Sequence, residues 1–492
     1  MKKIICMLVC LCLALTPALG EVYTVKAIGG RLELEFNEEY FTESSYKYNH
    51  SLMRATLIVS QTGYGTDANF GETGDFNREA CPEAAAAEMG FEDFRAYNYD
   101  ISLNDTSDYA AYSFAHRRLS EGSELIMIVV RCAEYGCGFS SNFRVGTEDI
   151  HQGFGTPAIE MAEALTAYIA EYLPGERVKL WTTGYSRAAA VANVAGKLFD
   201  DMAVNGELNC SPEDIFTYTF ATPATVREGT EGQGTELYEN IYNIISYQDI
   251  VPEVPIGAWG YTRFGITRMF GKIDEELTDE EANSLYAEVR TAYRRYSGSS
   301  MDLGGFRALR DKIDDTLASM LRTIKSGEEY NEYWEALFVN FLQATSGRAR
   351  RDGISDEVVE LLQTEYAGSA WAQFALEKIN SLSAVSWTSE PVCVVLSEFG
   401  TEAVYAMARI GGIAALTEAV AGDAYSTLLA YLTLADMSAR EIYGTVWVME
   451  YAQVVKYVPM LSVFLGFMEC FEGHMPAYYY AFLTTLPEEE LF

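Results

Sequence analysis

The stretch that most constrains the fold lies between Val178 and Val191. A β-prone run, Val178-Lys179-Leu180-Trp181-Thr182-Thr183, enters Gly184-Tyr185-Ser186-Arg187-Ala188, and an alanine-rich helical segment leaves it. In a strand–turn–helix elbow of this kind the serine sits on a sharp, strained corner. The residues two before and two after it must be small, because strand and helix backbones pass close together there. Gly184 and Ala188 meet that need. The corner exposes the serine hydroxyl and aims the first helical N–H groups at the reacting oxygen. The competing reading of the same residues is a helix with Ser186 as its N-cap.

The surrounding pattern divides the chain. From Glu21 to about residue 270, strand-like and helix-like stretches alternate. Val22–Phe36 reads as a hairpin pivoting on Gly29-Gly30, Ala84–Met89 as a short helix, and Phe94–Ile101 as a strand. The unbroken apolar run Leu125–Val130 fits a strand buried on both faces, as in a parallel sheet. Pro157–Tyr172 and Arg187–Phe199 read as helices, and Ile215–Phe220 and Ile241–Ser246 as further strands. Such alternation predicts a mainly parallel sheet covered by helices on both faces. From 271 to 440 the pattern turns helical. Thr278 and Glu281 form a capping box ahead of Leu285, Val289, Ala292 and Tyr293 on one face. A second stripe runs through Ile313, Leu317, Met320, Leu321 and Ile324, and Ser355 caps a third helix. The last segment, 441–492, is apolar and aromatic.

A nucleophilic serine requires a base, and the base requires an orienting carboxylate. In folds with this elbow the chain order is serine, acid, histidine. The chain has 4 histidines, and only His474 follows Ser186. It sits in Glu472-Gly473-His474-Met475-Pro476, which reads as an exposed turn. The acid should end a downstream strand, and Asp249 does so after Ile241–Ser246, with Pro252 closing the regular structure.

Here the chain resembles the class 3 (fungal-type) lipases and their bacterial relatives. The resemblance rests on the elbow Gly184-Tyr185-Ser186-Arg187-Ala188, on Thr219-Phe220-Ala221-Thr222-Pro223, and on Asp249-Ile250-Val251-Pro252-Glu253-Val254-Pro255. Ile128-Val129-Val130-Arg131 and His151-Gln152-Gly153-Phe154 also match, in the right order. It covers roughly residues 90–265, with His474 as a distant last piece. It implies an α/β-hydrolase fold and a triad of Ser186, Asp249 and His474. The oxyanion-hole N–H groups would come from Arg187 and, in the Arg131-Cys132-Ala133 turn, from Ala133. The family's counterpart of His151 is structural, so His151 takes no catalytic role. Three residues depart from the pattern: Ala188 for glycine, Cys132 for glycine, and Arg187 for an apolar residue. The long separation of Asp249 from His474 is filled by the helical insertion, which stands either as a cap over the site or as a satellite domain. The Tyr478-Tyr479-Tyr480 run beside His474 lines a pocket on the first view and is core on the second.

The N-terminus predicts that this chemistry lies outside the cell. Lys2 and Lys3, an apolar run from Ile4, and Ala18-Leu19-Gly20 before Glu21 form a secretory signal pattern over residues 1–20. No later segment has the length of a transmembrane helix, about 20 apolar residues. Lys and Arg number 35 against 71 Asp and Glu, a net charge of -36. That balance repels phosphate backbones and argues against nucleic-acid partners. Beyond the leader stand Cys81, Cys132, Cys137, Cys210, Cys393 and Cys470, which permit disulfides outside the cell without fixing their pairing.

The expected protein is therefore a secreted serine hydrolase with a core over 21–270, a helical insertion or cap over 271–440, and a 441–492 segment that returns to the core with its histidine. It cleaves carboxylic esters, acylglycerol lipids first among them, through an acyl-enzyme, with transient contact at a lipid interface and with neither metal nor organic cofactor. The alternatives are a serine acyltransferase or another serine hydrolase on the same fold, and a non-catalytic binding module that keeps the elbow as architecture.

Overall fold

The computed structural model describes residues 20–28, 30–64, 80–99, 108–132, 141–142, 145–273, 277–323 and 470–492. The expected leader, Ala133, Cys137, Cys393, the Ser355-capped helix and the remainder of the insertion lie outside them.

The chain opens with an antiparallel hairpin, β1 (Glu21–Ala27) and β2 (Gly30–Phe36), in register from Glu21↔Phe36 to Ala27↔Gly30. Its alternation is the cause of its placement: Val25, Ala27, Leu32, Leu34 and Phe36 are buried and their neighbours in β2 face out. Helix α1 (His50–Thr62) follows, capped by the Asn49 side chain, which accepts the Leu52 N–H at 3.0 Å. Helix α2 (Ala80–Glu88) leads to β3 (Glu92–Tyr97), β4 (Ala110–Arg118) and β5 (Glu124–Cys132). Then come α3 (Gln152–Tyr172), β6 (Val178–Tyr185), α4 (Arg187–Val204), β7 (Ile215–Phe220), β8 (Val226–Arg227), β9 (Ile241–Ser246), β10 (Tyr261–Thr262) and β11 (Ile266–Phe270).

The central sheet has seven strands in the order β11-β9-β7-β6-β5-β4-β3. The pairs from β5 to β11 are parallel, and β3 and β4 add an antiparallel edge. Helices α3 and α4 cover one face with an apolar layer that includes Phe154, Leu165, Val191 and Phe199. The other face, with Trp181, Phe216, Tyr218 and Phe270, is covered by the hairpin, α1, α2 and the later helices. Trp181 ties the layers together: its indole N–H donates to Thr56 Oγ1 of α1 at 2.7 Å. This is the α/β-hydrolase architecture, a mainly parallel sheet flanked by helices.

Beyond the sheet lie α5 (Asp279–Leu285), α6 (Ala287–Ser297) and α7 (Leu303–Thr323). The capping box at α5 forms: Thr278 Oγ1 accepts the Glu281 N–H at 3.3 Å while the Glu281 carboxylate accepts the Thr278 N–H at 2.8 Å. The single amphipathic face expected from Leu285 to Tyr293 does not form. The backbone breaks at Tyr286, which ends α5 and starts α6, so Val289 and Tyr293 are buried while Leu285 stays 63% exposed. In the second stripe Ile313 and Met320 are buried and Leu321 points outward.

The chain returns through a 3-10 turn, Phe471–His474, into α8 (Pro476–Thr485) and α9 (Glu488–Leu491). Helix α8 sits between the sheet and the later helices. Tyr479 packs on Phe270 of β11 with ring centroids 5.0 Å apart, while Tyr478 meets Phe306 of α7 at 4.6 Å and Tyr480 meets Tyr296 of α6 at 4.8 Å. The described part of the insertion is thus packed behind the helix that follows His474.

Candidate active site

Strand β6 delivers Ser186 to the corner before α4. Its backbone has φ 60 and ψ -130, a conformation that costs a non-glycine residue of order 1–3 kcal/mol and persists only where its surroundings enforce it. The enforcement is visible: the Ser186 N–H donates to the Phe220 carbonyl of β7 at 2.8 Å, and its carbonyl accepts the Ala190 N–H at 3.2 Å. A methyl added at Gly184 would lie 2.4 Å from the Ala188 carbonyl oxygen, so glycine is obligatory there, while Ala188 itself fits fully buried. The Ser186 side chain makes no capping hydrogen bond. The N-cap reading fails for that reason: the hydroxyl is committed elsewhere.

It is committed to His474. Ser186 Oγ and His474 Nε2 are 2.7 Å apart across 288 residues of sequence. His474 Nδ1 lies 3.0 and 2.9 Å from the two carboxylate oxygens of Asp249. A carboxylate only accepts, so Nδ1 carries the proton and Nε2 is left to accept from the serine. Asp249 is fully buried and receives two further donors, the Val251 N–H at 2.9 Å and the Tyr479 hydroxyl at 2.7 Å. The Tyr185 hydroxyl donates to the His474 carbonyl at 2.7 Å and fixes the turn from below. Burial first, and the neighbouring Asp249 second, push both phenols well above their ordinary range, so each remains a donor.

His474 is not the exposed turn residue its sequence setting suggests. It is 4% exposed, because the preceding Gly473 is pressed against the acid loop. Tyr479 was not legible as part of the site. It belongs to an aromatic run that sequence reads as core or pocket lining, and it is core. Its hydroxyl nonetheless also accepts the Ser246 N–H at 3.1 Å and so joins β9 to the acid.

Arg187 opens α4, which makes its N–H one of the first-turn donors beside the serine. Its charged side chain, unexpected at this position, is buried in a set of acceptors. Nε reaches Ser141 Oγ at 3.0 Å, Nη1 the Tyr109 carbonyl at 2.7 Å, and Nη2 the Gly153 carbonyl at 3.0 Å. The last contact has a local cause. Helix α3 begins at Gln152, five residues before the expected start, and carries Pro157 inside it. Proline has no N–H to donate to the carbonyl four residues earlier, which is that of Gly153, and Arg187 takes the vacant acceptor. Ala133, the expected second oxyanion donor, lies outside the described residues.

The other histidines stand apart. His151 stacks on Phe154 at 3.9 Å between ring centroids, and its Nε2 donates to the Asn142 carbonyl at 3.1 Å. Burial holds its imidazole down at about 3, so it is neutral. His116 pairs with Tyr168 and His50 with Tyr48. Among the described residues no group of His, Cys, Asp or Glu is placed to hold a metal ion, and no helix is long and apolar enough to cross a membrane. Cys81 and Cys210 are free thiols.

Residues 124–258 match the family of class 3 lipases. The class 3 lipase match runs from β5 past the acid loop and so holds Ser186 and Asp249, while His474 lies beyond it. Solved lipase structures are similar to the chain at low identity. The triacylglyceride lipase of Rhizomucor miehei is 17% identical over 44% of this chain and 78% of that one, with a TM-score of 0.31. Lipase II from Rhizopus niveus is 17% identical over 48% of this chain and 88% of that one, with a TM-score of 0.32. The lipase from Rhizopus microsporus var. chinensis is 16% identical over 55% and 86%, also with a TM-score of 0.32. No curated protein matches the chain significantly. The class 3 lipase segment is thus carried on a sheet of α/β-hydrolase architecture, and over residues 124–258 the chain is lipase-like.

Proposed function

We propose that Ser186, His474 and Asp249 are the catalytic triad of a secreted ester hydrolase, with acylglycerol lipids as its leading substrate class. The observation that carries this reading is the continuous hydrogen-bonded line from Ser186 Oγ through both nitrogens of His474 to a buried Asp249. Secretion is proposed from the signal pattern over residues 1–20.

In the mechanism, His474 Nε2 takes the hydroxyl proton as Ser186 Oγ attacks the ester carbonyl carbon. Asp249 keeps the imidazole in the tautomer with Nδ1 protonated and stabilises the imidazolium that forms. The Arg187 N–H faces the oxyanion of the tetrahedral intermediate, a contact worth about 3 kcal/mol where such donors are preorganised. His474 then returns its proton to the leaving alcohol oxygen as the C–O bond breaks, leaving an acyl-serine. Water, activated by the same imidazole, releases the acid and restores the hydroxyl. No step requires a metal or cofactor. The α6–α7 part of the insertion acts in this scheme as a buttress to α8, because its aromatic side chains pack behind His474.

Fluorophosphonate labelling with peptide mass spectrometry tests the reading. Label confined to the Ser186 peptide, and lost in Ser186→Ala, is the expected result. Folded protein that takes no label with detergent present would sink it and favour the binding-module alternative. Acyl chain-length profiles and partition between water and alcohol acceptors separate lipase from acyltransferase chemistry.

A further inference from the structure

One phenol at the elbow has no place in the mechanism above. Tyr64 follows the last turn of α1, is half-buried, and donates its hydroxyl to the Tyr185 carbonyl at 2.7 Å. That carbonyl belongs to the peptide that joins Tyr185 to Ser186. The N–H of the same peptide donates to the Phe220 carbonyl of β7 at 2.8 Å. The two polar ends of a trans peptide point in opposite directions, so this plane is held from both sides.

Ser186 has φ 60, in the left-handed region that costs a residue with a side chain. Rotating the plane of the preceding peptide changes ψ of Tyr185 and φ of Ser186 together, and is the direct way for the corner to relax. Tyr64 therefore adds a side-chain hold to the main-chain bonds that keep the corner bent. The donor is itself firmly seated. Gly63 lies against β5, where an added methyl would meet Val129 and Arg131 at 3.4 Å. Gln61 accepts the Ile28 N–H on its carbonyl at 3.3 Å and the Tyr296 hydroxyl on its side chain at 2.9 Å. The end of α1 is thus fixed to the hairpin on one side and to α6 on another. Tyr185 also reaches the base, since its phenol donates to the His474 carbonyl at 2.7 Å. A rotated 185–186 peptide would carry Ser186 Oγ away from His474 Nε2, now 2.7 Å from it.

We propose that Tyr64 is a positioning residue that keeps Ser186 in its strained, reactive conformation by pinning the peptide before it. The proposal rests on the triad reading above. Strain held for function has a signature that plain structural support lacks: removing the hold lowers activity and at the same time relieves the strain.

Tyr64→Phe removes only the hydroxyl and is made in the full chain. Its kcat for ester hydrolysis is expected to fall about 10- to 100-fold with KM little changed, because Ser186 is misplaced while the substrate still binds. The second readout is the urea midpoint of Ser186→Ala and Ser186→Gly, each with and without Tyr64→Phe. Both lack the serine hydroxyl, and only glycine takes a positive φ without strain. The freedom glycine adds to the unfolded chain is the same in both backgrounds and cancels. The shift from Ser186→Ala to Ser186→Gly should be more stabilising with Tyr64 in place than with Tyr64→Phe, by about 0.3 M urea or more. Equal shifts in the two backgrounds, or an unchanged kcat in Tyr64→Phe, would overturn the proposal and leave Tyr64 a structural contact. If Tyr64→Phe does not fold, Tyr64→Met replaces it in the same comparison, and failure of both to fold also overturns the proposal. Absence of fluorophosphonate label at Ser186 in the unaltered chain would instead count against the triad, while the urea comparison still reports on Tyr64.

Discussion

Gly473 lies against Gln248 so closely that a methyl group added to it would stand 1.6 Å from the Gln248 carbonyl oxygen. The contact joins the turn that ends in His474 to the residue before Asp249, so base and acid are registered backbone to backbone. Gly473→Ala must push them apart. Displacements near 1 Å in a positioned site cost about 100-fold in rate. We expect kcat/KM for a short-chain ester to fall by at least that factor while the sheet keeps its circular dichroism. Unchanged kinetics would show that the contact does not set the triad.

The carboxylate of Asp249 and the phenol of Tyr479 should separate by magnitude. Asp249→Asn offers Nδ1 an amide and favours the wrong tautomer, with an expected fall in kcat of about 10⁴-fold. Tyr479→Phe removes one of several donors to a buried anion, which at about 1–2 kcal/mol gives a fall of roughly tenfold. KM should change little in either. Steady-state kinetics over the same substrate range checks both, and equal losses would contradict the ordering.

Arg187 and Pro157 are predicted to be coupled through a carbonyl that neither owns. Arg187→Leu leaves the Gly153 oxygen without its donor and should destabilise the fold by about 2–4 kcal/mol. Pro157→Ala restores an N–H that can reach that oxygen along the helix. In the Arg187→Leu background it should recover part of the loss, beyond what it does alone. Urea denaturation of the four proteins measures the coupling, and strict additivity would refute the account.

Two buried groups should shape stability against pH. Asp200 is fully buried, one carboxylate oxygen accepts from Asn240 at 2.8 Å, and the other has no partner among the described residues. Burial pushes it up from 3.8 to about 8, so the native state holds a proton the unfolded chain releases, and that stability is lost as pH rises through this window. His151 has the opposite sign. Held down at about 3 by burial, it stays neutral where the unfolded chain protonates, so its contribution is lost as pH falls from 6.5. The two slopes oppose below pH 6.5, and Asp200 acts alone from there to about 8. Over that interval stability should fall by up to about 1.4 kcal/mol per pH unit, and Asp200→Asn should flatten it. Equal slopes in both proteins would discard the assignment.

What the sequence made legible follows from burial. Strands β5 and β6 are covered on both faces, so they read as apolar runs, and the small-residue requirement of the elbow is local. His474 was reachable because it is the only histidine after Ser186. Helix α1 escaped notice because Thr56, Ser60 and Thr62 are buried within it and interrupt the apolar stripe. Each donates its hydroxyl to a carbonyl three or four residues back, an arrangement visible only once the helix exists. Strand β4 mixes alanine, serine and histidine among its aromatics and shows no clean period. Leu285 misled because periodicity cannot register a backbone break at Tyr286. Tyr479 depended on a contact across 230 residues.

The separation of 288 positions between Ser186 and His474 also bears on folding. Closing so long a loop costs only slightly more entropy than closing one half its length, since the penalty grows logarithmically. The contact is nonetheless among the most non-local in the molecule, and such contacts form late. A chain that has built its sheet but not yet docked α8 would carry a strained serine with no base beside it. The protein would then be chemically silent until α8 is seated, and the appearance of ester cleavage during refolding would time the last docking step rather than the formation of the sheet.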